Sequence, residues 1–141
     1  MEHWEELAPG GLRLLWDDAL FPPGTDSFLL SALPRLRPGL RVCDLGCGTG
    51  LVGFLLLQRQ RSLSLTGVDR EERAVALARR CAAENGLADR AVFETLDIRD
   101  LRGRLPAGGF DLAVANPPYF PPSRGLSPAD PARRQARTED T

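Results

Sequence analysis

The apolar positions of this chain fall into short runs that suit buried strands and longer stretches that suit helices. Short runs that end at a glycine or a polar residue predict four strands, over residues 40–46, 63–69, 91–97 and 110–116. Longer stretches after the first two strands predict helices over residues 50–60 and 71–86. Because strands that alternate with helices pair in parallel through right-handed crossovers, the pattern predicts an α/β doubly wound parallel sheet.

The remaining segments complete a single-domain interpretation. A short helix is predicted over residues 27–33, with Thr25 or Asp26 as its N-cap and Pro34 ending it. Gly86 stands where the C-terminal cap of the second long helix is expected. The chain is divided into an N-terminal extension, a core domain and a proline- and arginine-rich loop or tail, at residues 1–20, 21–120 and 121–141.

Composition narrows the class of protein. With 43% hydrophobic and 26% charged residues the chain is typical of soluble globular domains. No apolar run approaches the roughly 20 residues of a membrane span, and the acidic N-terminus does not resemble a signal peptide. Three cysteines without C-x-x-C spacing and a single histidine fit neither a disulfide framework nor a metal site. We therefore expect free thiols, no metal, no membrane partner and a cytoplasmic location.

A glycine-rich loop follows the first predicted strand, in the segment "DLGCGTG". Gly46, Gly48 and Gly50 let the backbone turn sharply and approach a ligand, and the next helix offers its N-terminal N–H groups. Asp44 and Cys47 lie in the same segment and are included among the cofactor-binding candidates. The alternative is a tight strand-to-helix turn with no ligand.

Acids close the second and third predicted strands, where α/β sheets bind ligands. Asp69 is placed to take both hydroxyls of a ribose, with Arg70 beside it; the alternative is a surface acid. Asp97 is placed to reach an adenine amine, with Ile98 against the ring; the alternative is an acid that caps the next turn.

Two cofactor classes suit a glycine loop with a ribose-binding acid. A dinucleotide site has the pattern G-x-G-x-x-G, whereas this loop is G-x-G-x-G, and Asp44 precedes its first glycine by two residues. An acid in that position repels a pyrophosphate but suits an ammonium group. The methionine end of S-adenosylmethionine carries such a group, so the loop favours S-adenosylmethionine.

In this order and spacing, "VCDLGCGTG", "GVD" and "NPPY" resemble the class I S-adenosylmethionine-dependent methyltransferases of the N-P-P-Y type. The segments "GTDSFLL" and "RRQART" are similar to those that flank the core in bacterial tRNA1(Val) adenine-37 N6-methyltransferases. The resemblance covers residues 21–139 and implies a Rossmann-like sheet. It also implies that Thr25, Asp26 and Asn116 help to bind the cofactor.

The "NPPY" segment suits transfer of a methyl group to a planar amine. The lone pair of such an amine is delocalised, so the nitrogen must be reoriented before it attacks. The Asn116 side chain accepts one N–H and the Pro117 carbonyl the other, while Pro118 stiffens the loop and Tyr119 stacks on the base. We interpret these four residues as catalytic.

The resemblance implies methylation of the exocyclic amine of adenine in tRNA. Tyr119, Phe120, Arg133 and Arg137 are then the substrate-binding candidates, although an arginine-rich tail is also typical of a solvated segment. Release-factor glutamine N5-methyltransferases and ribosomal RNA guanine N2-methyltransferases remain alternatives. A cofactor-binding fragment without catalytic activity is an alternative of another class.

The order of strands in such a sheet, 3-2-1-4, places the fourth predicted strand at an edge. The family continues with three further strands beyond this point, so the sheet is expected to be incomplete at its C-terminal side. Leu112, Val114 and Ala115 of the fourth strand are apolar enough for a central strand, and residues 112–115 include no charge or proline to protect that edge. We therefore expect a fragment of a longer enzyme, or self-association through this strand, with a poorly ordered tail and little activity as a monomer.

Overall fold

The computed structural model describes residues 1–19, 25–100 and 108–115. Its elements in chain order are β1 (Glu2–Glu6), β2 (Arg13–Asp17), α1 (Thr25–Ala32), β3 (Arg41–Leu45), α2 (Leu51–Arg59), β4 (Ser64–Asp69), α3 (Glu72–Glu84), β5 (Ala91–Thr95) and β6 (Leu112–Ala115). A single 3-10 turn, Ile98–Asp100, follows β5.

The last four strands form a parallel sheet in the order β5-β4-β3-β6. This confirms both the α/β class and the predicted order, with β3 to β6 as the four predicted strands. Leu45, at the end of β3, is in register with Val68 of β4 and Ala115 of β6. The carboxyl ends of the strands therefore meet at one edge, where α/β sheets bind ligands.

The amphipathic pattern of α3 is confirmed. Its buried residues share one face: Ala74, Val75, Leu77, Ala78, Cys81 and Ala82. Gly86 has a left-handed φ of 71° and donates its N–H to the Ala83 carbonyl, while the Leu87 N–H reaches the Ala82 carbonyl. This pair of bonds is the Schellman arrangement, so Gly86 ends α3 in the way that the sequence predicts.

The start of α1 differs from the prediction. The helix begins at Thr25, so Thr25 and Asp26 lie in its first turn and neither precedes it as an N-cap. At the other end, the Arg59 guanidinium donates to the carbonyls of Ser31 and Pro34, at 2.6 and 2.9 Å. Those bonds satisfy carbonyls that have no partner within the helix, and they tie α1 to α2.

A hairpin that the sequence analysis did not predict precedes the sheet. Strands β1 and β2 pair antiparallel, and Leu14 and Leu15 of β2 are almost completely buried. The Asn85 amide donates to the Arg13 carbonyl and accepts from the Arg13 N–H, at 2.8 and 2.9 Å. Gln58 of α2 accepts the N–H of Leu12 at 2.7 Å, so two helices hold the hairpin against the core.

The hydrophobic core joins the hairpin, the helices and the sheet in one cluster. Its largest fully buried side chains are Leu14, Leu15, Val42, Phe54, Leu56, Leu57, Leu63, Leu65, Val75 and Cys81. Within the described ranges, no helix is both long and apolar enough to cross a membrane.

Candidate functional site

The glycine loop lies at the carboxyl edge of the sheet, between β3 and α2. Gly46 and Gly48 have left-handed φ values of 72° and 56°, which other residues adopt only with strain. The N–H groups of Gly46 and Cys47 both donate to the Val68 carbonyl of β4, at 2.8 and 2.9 Å. These bonds fix the loop on the end of the neighbouring strand.

Open space adjoins the loop. Among the described residues, a Cβ atom placed on Gly48 would have no neighbour within 4 Å, and one on Gly46 would meet only the Ile98 Cδ1 atom, at 4.0 Å. A ligand could therefore approach the backbone at these two glycines, and the Ile98 side chain lies beside Gly46.

Asp69 connects the loop to the end of β4. Its Oδ2 atom accepts the Gly48 N–H at 2.8 Å, and its Oδ1 atom accepts the Glu71 N–H at 2.8 Å. The residue is half-buried, which is compatible both with a ribose-binding acid and with the alternative of a surface acid. Each carboxylate oxygen retains a second acceptor position, which leaves room for the two ribose hydroxyls that the sequence suggests.

Asp44 is the most unusual ionisable group of the site. The residue is 1% exposed, and its Oδ2 atom is buried without a hydrogen-bond partner among the residues that the structure describes. Burial and, to a smaller extent, the nearby Asp69 charge raise the pKa of this carboxyl, a hydrogen bond from the Gly53 N–H lowers it, and the net pKa is about 7. A buried carboxyl with one unpartnered oxygen is suited to a cationic group of a ligand that reaches it.

Asp97 has a different environment. Both of its carboxylate oxygens accept from Arg99: Oδ1 from the backbone N–H and Nε, and Oδ2 from Nη2, at 2.7–3.1 Å. These hydrogen bonds from Arg99 hold the pKa of Asp97 well below its usual range, and the exposed Arg70 contributes in the same direction. The contacts of Asp97 in the structure are those expected for an acid that caps the following 3-10 turn, which was the alternative to adenine binding.

The cysteines near the site are buried and free. Burial and, to a smaller extent, the Asp44 charge raise the pKa of the Cys43 thiol to about 11. Burial likewise raises the pKa of Cys47, whose Sγ atom lies 3.5 Å from the Gly48 carbonyl. Neutral thiols are poor nucleophiles, so these side chains fill space beside the loop. Among the residues that the structure describes, no group of three metal-ligating side chains occurs.

Two glycines that were not among the predicted site residues allow the elements around the glycine loop to pack closely. A side chain on Gly53, in the first turn of α2, would collide with Leu65 of β4. A Cβ atom on Gly67 would lie 2.6 Å from the Phe93 ring and 3.0 Å from Cys47 Cβ. The signal for Gly53 was a glycine inside an otherwise apolar helix, which often marks close packing.

Several predicted site residues lie outside the described part of the chain. They are Asn116, Pro117, Pro118, Tyr119, Phe120, Arg133 and Arg137. For Thr25 and Asp26 the structure describes only the backbone, at the start of α1. Residue 116 directly follows Ala115, which is in register with Leu45 of β3, one residue before Gly46.

Comparison with known proteins gives a family match over most of the chain. Residues 21–125 match the model of the methyltransferase small domain. The chain is 34% identical over 119 residues to the tRNA1(Val) (adenine(37)-N6)-methyltransferase of Citrobacter koseri, covering 84% of this chain and 47% of that protein. The chain spans about half the length of the curated relatives it matches.

Two solved structures share the architecture. TrmN from Thermus thermophilus superimposes with a TM-score of 0.57 and 30% identity, over 71% of this chain and 29% of that one. A geranyl diphosphate methyltransferase, solved in complex with GPP and sinefungin, gives a TM-score of 0.57 and 25% identity, over 67% of this chain and 35% of that one. The parallel sheet is therefore a Rossmann-like methyltransferase sheet.

Proposed function

Since this chain belongs to the methyltransferase small domain family, we propose that it is an S-adenosylmethionine-dependent N-methyltransferase that acts on the exocyclic amine of adenine in tRNA. The observation that carries the proposal is the pairing of an open glycine loop with two acids at the carboxyl edge of the sheet. Asp69 anchors that loop through Gly48, and Asp44 lies buried beside it with a free acceptor.

The described residues suit the methyl donor in three respects. The unpartnered Oδ2 atom of Asp44 suits the α-ammonium group, and the open backbone at Gly46 and Gly48 suits close approach of the ligand. Asp69 suits the ribose hydroxyls. When bound, S-adenosylmethionine supplies an electrophilic methyl group. The structure of a related protein that contains sinefungin, an analogue of this cofactor, supports the assignment.

Other donor contacts are proposed from the sequence. Ile98 lies beside Gly46, where it suits the adenine ring. Both carboxylate oxygens of Asp97 accept hydrogen bonds from Arg99. Asp97 must give up one of these hydrogen bonds to accept one from the adenine amine. Thr25, Asp26, Arg70 and Cys47 line the approach in our proposal, and we keep residues 21–120 as the catalytic core.

The catalytic step is assigned to the segment after β6. We propose that Asn116 and the Pro117 carbonyl hold the two N–H groups of the target amine, so that its lone pair turns toward the methyl group. Pro118 stiffens the segment and Tyr119 stacks on the base. No strong base is required, because the nitrogen loses its proton after it gains the methyl group.

The tRNA assignment rests on relatives that are named tRNA1(Val) (adenine(37)-N6)-methyltransferases. In our proposal Tyr119 and Phe120 contact the base, while Arg133 and Arg137 contact the phosphate backbone. Arginine suits that role because its guanidinium binds phosphate oxygens in pairs. A cytoplasmic location, where tRNA is modified and thiols stay reduced, is part of the same proposal.

We further propose that the edge of β6 mediates self-association. Among the described residues β6 pairs only with β3, and its four residues include no charge and no proline. An unprotected edge of this kind readily accepts another strand. Sedimentation velocity across a range of concentrations should show a dimer that forms reversibly, and a monomer at every concentration would contradict the proposal.

Product analysis tests the function directly. The chain would be incubated with S-adenosylmethionine and, in parallel reactions, with unmodified tRNA, a release factor or ribosomal RNA, and the methylated nucleosides and amino acids would be measured by mass spectrometry. We expect N6-methyladenosine. N5-methylglutamine in a release factor or N2-methylguanosine in ribosomal RNA would identify a different substrate, and donor binding without any transfer would indicate a module that is not catalytic.

A further inference from the structure

The carboxyl of Asp44 is enclosed by groups that do not neutralise a negative charge. Asp69 of β4 adds a like charge, and the Cys43 and Cys47 thiols nearby are neutral because burial raises their pKa. In register on β6 lies the apolar Val114. From α2 comes only the Gly53 N–H, and within residues 1–19, 25–100 and 108–115 no salt bridge reaches Asp44.

Such a carboxyl favours its protonated form until a cation arrives. Burial removes the water that would stabilise the carboxylate, and a second acid nearby makes ionisation still less favourable. Its Oδ2 atom is buried without a partner, so the charged form has one unsatisfied acceptor. A ligand ammonium group would supply both the missing donor and the missing positive charge.

We propose that binding of the donor's α-ammonium group displaces one proton from Asp44 to solvent. This inference rests on the proposed function. The O–H bond of the carboxylic acid breaks, the proton leaves to water, and the resulting carboxylate pairs with the ammonium group, which keeps its own three protons. Donor binding and proton release are therefore linked, and the site selects ligands that carry a cation at this position.

The linkage between proton release and binding makes the affinity for the donor rise with pH until Asp44 is ionised. Below the pKa of the free carboxyl, binding must first remove a proton, so affinity falls by about tenfold for each unit of pH. Above that pKa the carboxylate already exists, and the affinity becomes independent of pH. The single histidine of the chain, His3, lies on β1, where its ring bonds to Asp18 and stacks on Trp16. Its replacement is therefore a suitable control.

Isothermal titration calorimetry with S-adenosylhomocysteine tests the linkage without any turnover. Titrations at pH 5.5 to 8, each in buffers of different ionisation enthalpy, report affinity and proton release together. We expect release of close to one proton at pH 5.5, falling toward zero at pH 8, with affinity rising about tenfold per unit of pH in the acidic range. The H3Q variant should keep this profile.

One further ligand and one variant test whether the pH dependence comes from Asp44. The ligand 5′-methylthioadenosine lacks the ammonium group and should bind with nearly constant affinity and no proton release. Asp44→Asn should bind S-adenosylhomocysteine more weakly at pH 8 and without pH dependence, provided that circular dichroism shows a folded protein. A flat profile for the wild-type chain, or an equal slope with both ligands, would overturn the inference. Failure to bind S-adenosylhomocysteine at any pH would overturn the proposed function itself.

Discussion

Replacing Asn116 with alanine is expected to abolish methyl transfer, a loss of about 10²-fold or more, while affinity for the methyl donor changes little. The amine of adenine reacts only when its lone pair points at the methyl group. Alanine removes the side-chain acceptor that holds one of its N–H groups. The described residues suited to the donor lie at the carboxyl ends of β3 and β4 and on the loops after β3 and β5. Losing the one donor contact that the resemblance implies for Asn116 should therefore change the affinity little.

Transfer rates and calorimetric affinities must be measured on the same preparation. Asn116→Asp is the matched control, because it keeps an acceptor oxygen at the same place and should retain more transfer than the alanine variant. If Asn116→Ala kept most of its turnover, the catalytic role of the "NPPY" segment would be wrong. If the variant instead lost donor affinity together with turnover, it would be wrong to assign donor binding and catalysis to separate parts of the chain.

Much of this fold was predictable because its signals are local. The change from short apolar runs to helical periodicity fixed the α/β class, and parallel pairing followed from the alternation. The Gly86 cap needed only the residue at the end of an amphipathic stretch. Likewise, Asp69 could be assigned to the binding edge because it closes a strand, and parallel strands end on the same side of a sheet.

Other features depend on contacts between segments far apart in the chain. The hairpin of β1 and β2 is held by Asn85 and Gln58, more than 40 residues away from it, so no local pattern identifies it. The lack of a cationic partner for Asp44 depends on β4 and α2, which contribute the Asp69 charge and the Gly53 N–H. Conversely, the pairing of Asp97 with Arg99 is local, and the sequence left it open because a strand-end acid suits both a ligand and a turn.

Removing the Asp69 carboxylate should weaken donor binding by about 1–3 kcal/mol, because the ribose hydroxyls would be left without an acceptor. Asp69→Ala also frees the N–H groups of Gly48 and Glu71, so some of the loss comes from a looser loop. Asp89→Ala, at an exposed acid after α3, is the control and should bind normally.

A ligand comparison separates the two effects of Asp69. S-adenosylhomocysteine and its 2′-deoxy analogue would be titrated into the wild-type chain and into Asp69→Ala. Direct contact with the ribose predicts that the wild type prefers the ligand with the hydroxyl and that the variant does not distinguish the two. If the variant weakened both ligands by the same factor, Asp69 would act only by anchoring the glycine loop. Equal affinity of both proteins for S-adenosylhomocysteine, or tight binding of NAD, would instead contradict the donor site built around this acid.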